Sequence, residues 1–148
     1  MVRISNQQKL IRISQRWIRE VVSAILNDLG YQKWEVSILL VDDIQIREIN
    51  KRYLHRHRPT DVIAFSQIEG EATLLHAYLL GDVVISVETA QRQAKEASTT
   101  LTHEIAHLLA HGILHLLGYD HEGSSRKAQE MRVKEGKLLK ILTPYLTA

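Results

Sequence analysis

The chain has 148 residues, 45% hydrophobic and 24% charged, which suits one globular domain over 1–148 with a buried core and argues against a disordered tail, a collagen or a multidomain assembly. With no cysteine there is no disulfide framework and no thiolate metal site, so any metal must be held by His, Asp or Glu. The net charge is only +2, and with no apolar run of about 18 residues and no signal-like apolar core near Met1, the expectation is a cytoplasmic protein.

Residues 1–20 carry Arg3, Lys9, Arg12, Arg16 and Arg19 against Glu20. Trp17, Ile18, Val21, Val22, Ile25, Leu26 and Leu29 recur at helical spacing, with Ser14 as N-cap and Gly30 as stop. In Trp34 to Val41 the apolar residues Trp34, Val36, Ile38 and Leu40 alternate as in a strand, and Asp42-Asp43 offers the N-cap of a helix carrying Ile46, Ile49 and Tyr53. Lys51, Arg52, Arg56 and Arg58, interleaved with His55 and His57, lead to Pro59; from there to Gln91 no Lys or Arg occurs. This segregation fits a polyanion-binding face or, more blandly, solvated helix faces and loops.

Val62 to Phe65 and Val83 to Val87 read as buried strands, the second entered through Gly81-Asp82, and Glu88 to Ala97 resumes helical composition. Ser98 or Thr99 is expected to cap a second long helix, with Leu101, Ile105, Leu108, Leu109, Leu116 and Leu117 on its stripe and Gly118 as its stop. Ser124 or Ser125 opens a last helix in which Ala128, Met131, Leu138 and Leu142 form one side, with Pro144 after it. These elements predict an α+β fold: a small mixed sheet packed with helices, including one hairpin-like pair.

His103, His107, His111 and His115 recur every fourth residue, so each step drifts by roughly 40° and only neighbouring pairs share a helix face. His103-Glu104-Ile105-Ala106-His107 matches H-E-x-x-H, two ligands with a Glu base. However, it sits near the start of the helix, no third His follows at a chain reversal, and Ala110 stands where the longer protease signature has Gly. The second pair closes better. His111 and His115 lie one turn apart, Gly118 ends the helix, and His121 arrives three residues later, the H-x₃-H-x₂-G-x₂-H spacing of a three-His zinc site at the end of the long helix. Gly112 stands where the protease has its Glu, which disfavours peptide hydrolysis and makes a more readily polarised substrate, such as a phosphodiester, more plausible. The expected cofactor is one Zn²⁺ per chain, or another divalent transition metal, on His111, His115 and His121, with His103 and His107 packing or hydrogen-bonding around it.

The run His111 to His121, together with Pro59-Thr60-Asp61-Val62-Ile63-Ala64-Phe65 and Leu80-Gly81-Asp82-Val83-Val84-Ile85-Ser86, resembles the YbeY family of bacterial single-domain endoribonucleases. The resemblance covers most of the chain from Trp34 onward. It implies metal-dependent cleavage of single-stranded RNA, maturation of ribosomal RNA at the 3′ end of the small-subunit RNA, ribosome quality control, and partners among ribosomal RNA and small-subunit proteins. Two positions depart from the family pattern. Leu54 follows Asn50-Lys51-Arg52-Tyr53 where the family commonly has an Arg important for RNA cleavage, and Ser66 follows Phe65 where it often has Pro. Arg56, before Pro59, is the favoured substitute cation over Arg52 and Arg58. Beside the third ligand, Asp120 is a candidate base or ligand-orienting acid and Glu122 a weaker one. With aromatics at 5% of residues, base stacking falls to Tyr53, Phe65 or Tyr119. Two competing readings stay open on the sequence: a protease-type zinc hydrolase using His103, Glu104 and His107, and a non-catalytic ribosome-associated metal-binding protein.

Overall fold

The computed structural model describes residues 1–54, 60–67, 79–119 and 124–146. Its strands are β1 (Val2–Asn6), β2 (Glu35–Val41), β3 (Val62–Ser66) and β4 (Leu79–Ser86). Six helices lie among the described residues: α1 (Gln15–Leu29), α2 (Asp43–Leu54), α3 (Val87–Glu96), α4 (Leu101–Leu116), α5 (Ser125–Ile141) and the single turn α6 (Thr143–Leu146). The sheet order is β1-β2-β4-β3. β1 and β4 run parallel to β2, and β3 runs antiparallel to β4, with Ile63 opposite Val84 and Phe65 opposite Asp82. This is the expected α+β architecture with a mixed sheet, and β3 and β4 form its antiparallel pair.

Alternation in β2 sends Val36, Ile38 and Leu40 to one face, where they are fully buried with Val83 and Ile85 of β4. The larger core lies there, closed by Ile18, Val22 and Ile25 of α1, Ile105, Leu109 and Ile113 of α4, and Met131 and Leu138 of α5. A smaller cluster of Val41, Ile46, Ile63 and Val84 fills the space between the other face and α2. α4 is therefore central, laid across the sheet with α3 and α5 beside it. No helix among the described residues is long and apolar enough to cross a membrane.

Three boundaries differ from the sequence expectation, each for a local reason. β1 lies outside that expectation, because only Val2 and Ile4 of a five-residue strand face inward and its stability comes from pairing with β2. Arg3 there bonds Glu35 at 2.8 Å, and the Arg19 guanidinium holds the Val2 carbonyl, so two cations of the basic N-terminal stretch are used internally. β4 begins at Leu79 with Gly81 inside it, and Val87 already belongs to α3 because the Ser86 hydroxyl caps that helix on Thr89 N–H. The N-cap of α4 is Thr100, whose hydroxyl accepts from His103 N–H at 3.1 Å. Ser98 and Thr99 instead close α3, their N–H groups donating to the carbonyls of Lys95 and Ala94, with Ser98 at φ 54° in the place a glycine usually takes. The other caps are as expected: Ser14 and Gly30 on α1, Ser124 on α5, and Asp42 on α2, where Asp42 and Gln45 exchange side-chain to backbone bonds as in a capping box.

Candidate metal centre and nucleic-acid interface

His111 and His115 occupy the last two turns of α4, both partly exposed, with ring centroids 4.7 Å apart and planes at 70°. The helix then ends in a Schellman turn: Gly118 N–H donates to the His115 carbonyl and Tyr119 N–H to the Leu114 carbonyl, each at 3.0 Å. Gly118 sits at φ 97°, a conformation that costs an L side chain about 1 kcal/mol, so the turn leaving His115 is set by that glycine. The departure at Ser66 has a role here. Its hydroxyl donates to the Leu116 carbonyl at 3.0 Å, tying the end of β3 to the end of α4, a bond proline could not make.

Gly112, between the two histidines, faces the sheet. An added Cβ would lie 2.7 Å from Val83 Cγ1, closer than side chains approach, so α4 rests on β4 through this glycine. The position where a protease carries its Glu therefore points into the core and not at the histidines. Glu104 is seven residues before His111, about two turns or roughly 10 Å along the axis.

The residue that sequence reasoning missed is Glu135. It lies on α5 among Ala128, Met131, Leu138 and Leu142, the one carboxylate on that inward stripe. One of its oxygens meets His111 Nδ1 in a short contact and the other lies 3.1 Å from His107 Nε2. The signal was legible in principle: an acid at core spacing on an amphipathic helix is costly to bury unless it has partners. Burial pushes Glu135 up, but hydrogen bonds from His107 and His111, with their charge, bring its pKa down to about 2. The same bond to Glu135 raises His107 above the usual imidazole value, against the opposing effect of burial. Asp61 adds to the negative field on His107 and is itself fixed at the entrance of β3, accepting from Val62 N–H, Thr60 and Gln93.

Of the predicted site residues, the structure brings His111 and His115 together and puts His107 beside them, with ring centroids 6.3 Å from His111. His103 and Glu104 stay at the far end of α4. Arg56, Asp120, His121 and Glu122 lie outside the described residues, and among the described residues no group of three His, Asp or Glu is arranged to hold a metal. The donors present suit a borderline transition metal: two imidazoles one turn apart, one of them backed by a carboxylate on its other nitrogen, a set that favours zinc over the oxygen-seeking calcium or magnesium.

Exposed cations gather on two helices, at the end of α2 and along α5. Lys51 and Arg52 are exposed at the end of α2, and Tyr53, 60% exposed, sets its ring edge-on to Phe65 at 5.7 Å. α5 carries Arg126, Lys127, Arg132, Lys134, Lys137 and Lys140 against Glu130 and Glu135. Tyr119 lines two neighbouring grooves, one with Arg126, Glu130 and Lys134 and the other with Gly118 and Lys127.

Compared with known proteins, residues 3–143 match the family model described as Endoribonuclease YbeY. The chain belongs to the YbeY family. A relative named Endoribonuclease YbeY from Syntrophotalea carbinolica is 48% identical over 139 residues, 93% of each chain. The proteins of the same name from Geobacter metallireducens and Aquifex aeolicus are 43% and 40% identical, over 95% and 89% of this chain and 95% and 83% of their own. The solution structure of TM1509 from Thermotoga maritima superposes with a TM-score of 0.67 at 24% identity, covering 96% of this chain and 89% of that one, and shows the same fold. The YbeY match thus spans the sheet, α4 and α5 alike, not just the histidine run.

Proposed function

We propose that this chain is a metal-dependent endoribonuclease that cleaves single-stranded RNA in the cytoplasm, acting in maturation of the 3′ end of small-subunit ribosomal RNA and in ribosome quality control, with small-subunit proteins as partners. The observation that carries the reading is the pairing of His111 and His115 immediately before the Gly118 turn, in a chain whose full-length relatives bear the name endoribonuclease. His111, His115 and His121 would hold one zinc or a similar ion. Such an ion supplies Lewis acidity, stabilising charge that builds on the phosphoryl oxygens during cleavage.

The chain's own residues do the rest. Cations at the end of α2 and along α5 draw in the phosphate backbone and set its register without reading sequence. Tyr53 and Tyr119 offer ring faces to unstacked bases, each worth about 1–3 kcal/mol, which favours single strands over duplexes. Arg56, three residues before Pro59 in the sequence, takes the place of the family cation absent at Leu54, and Asp120 orients a ligand ring or holds a proton beside His121. With Gly112 packed on Val83, no in-motif carboxylate serves as a peptidase base.

The test is cleavage of end-labelled single-stranded RNA by zinc-loaded protein beside His115→Ala and Arg56→Ala. Cleavage by the parent, none by His115→Ala and a marked loss in Arg56→Ala are expected. Peptide hydrolysis by the parent without RNA cleavage, or equal RNA cleavage by parent and His115→Ala, would overturn the reading.

A further inference from the structure

We propose that Glu135 is the positioning residue of the histidine centre, holding His111 by its Nδ1–H so that Nε2 becomes the coordinating nitrogen, while His107 anchors the carboxylate from the other side. This rests on the metal reading above and adds to it a side chain from a different helix. Glu135 has a side chain only 12% exposed on the inward stripe of α5, where an ionised carboxylate survives only if its oxygens are occupied. Both are: one by His111 Nδ1 and the other by His107 Nε2.

The choice of nitrogen decides the consequence. A carboxylate accepts, so the ring nitrogen facing it carries the proton, and a neutral imidazole protonated on Nδ1 keeps its lone pair on Nε2. Metal-binding imidazoles are held this way, and loss of the carboxylate typically costs about 10- to 100-fold in affinity. His107 is engaged through the opposite nitrogen, Nε2, which commits that atom to the anchor and distinguishes His107 from the histidine one turn later. With one oxygen on each ring, the carboxylate cannot rotate without breaking a bond. α5 thereby fixes the aim of a ring on α4, and the packing of Met131 and Leu138, both buried beside α4, sets how accurately it does so.

The experiment combines Zn²⁺ affinity, by competition with a chromophoric chelator, with ¹⁵N NMR of the imidazole tautomers in the metal-free protein, on the parent, Glu135→Ala, Glu135→Gln, His107→Ala and His115→Ala. In the metal-free parent His111 should carry its proton on Nδ1, and in Glu135→Ala that preference should relax toward Nε2–H while Zn²⁺ binding weakens about 10- to 100-fold. Glu135→Gln, whose amide oxygen still accepts from Nδ1–H, should lose less and His107→Ala less again; Glu135→Gln also carries the test if Glu135→Ala fails to fold. An unchanged His111 tautomer in Glu135→Ala, or Zn²⁺ affinity within about twofold of the parent, overturns the proposal. Should the parent bind Zn²⁺ no better than His115→Ala, the metal reading fails, and the tautomer result alone decides whether Glu135 positions the ring.

Discussion

At one end of α4, His103 and His107 stand one turn apart with Glu104 between them; at the other, His111 and His115 stand one turn apart with Gly112 between them. The first pair carries the better formal match to a hydrolytic motif, yet its surroundings are those of a helix start: Thr100 caps the His103 N–H, and His107 is engaged by Glu135. The second pair lies where the chain turns, with Glu135 on His111 and Gly118 in a left-handed conformation three residues past His115. Identical spacing on one helix thus meets different surroundings: Glu135 touches one histidine of each pair, but a capped helix start precedes the first pair and a left-handed turn follows the second.

The comparison breaks most sharply by deleting one histidine from each pair. His115→Ala should reduce RNA cleavage to background and lose bound zinc by metal analysis, while His103→Ala should keep both near parental levels; the reverse pattern would move the site to the other end of α4. Next in size is Gly112→Glu, which restores H-E-x-x-H at the second pair. Because even a Cβ there would lie 2.7 Å from Val83 Cγ1, the change should destabilise the fold by about 3 kcal/mol or more in urea unfolding and confer no peptidase activity.

Gly118→Ala is milder and sharpens the role of the turn. Its φ of 97° should cost about 1 kcal/mol, and zinc affinity should fall while the His107–Glu135 bond, read by NMR, stays intact. The smallest effect concerns the acid sensitivity of the fold at a site away from both histidine pairs. Burial pushes Asp43 up, but bonds from Ser86, Thr89 and Arg92 outweigh it, so its pKa lies below the usual carboxylate value of 3.8. A depressed folded-state pKa gives stability that is present above the unfolded value and is lost as pH falls through the folded one. Asp43→Asn should therefore lower stability at neutral pH and flatten the loss below about pH 4.

Much of the fold was legible because local physics carried it. Apolar periodicity marked α1, β2, α4 and α5, and the caps at Ser14, Gly30 and Ser124 were read from side-chain chemistry that acts within a few residues. β1 was not, since a five-residue strand owes its existence to a partner more than thirty residues away; nor was the boundary at Ser98 and Thr99, whose hydroxyls suit a cap but whose backbone finishes the preceding helix. The histidine spacing likewise determined which pairs share a helix face, and Gly118 determined that the chain turns after the second pair. Only tertiary packing decided that Gly112 points at Val83, that Ser66 ties β3 to the end of α4, and that Glu135, 24 residues after His111, reaches its Nδ1. Spacing along one helix depends on the backbone's own geometry, whereas a carboxylate meeting an imidazole from a second helix depends on how the two helices pack over a shared core, which no local pattern encodes.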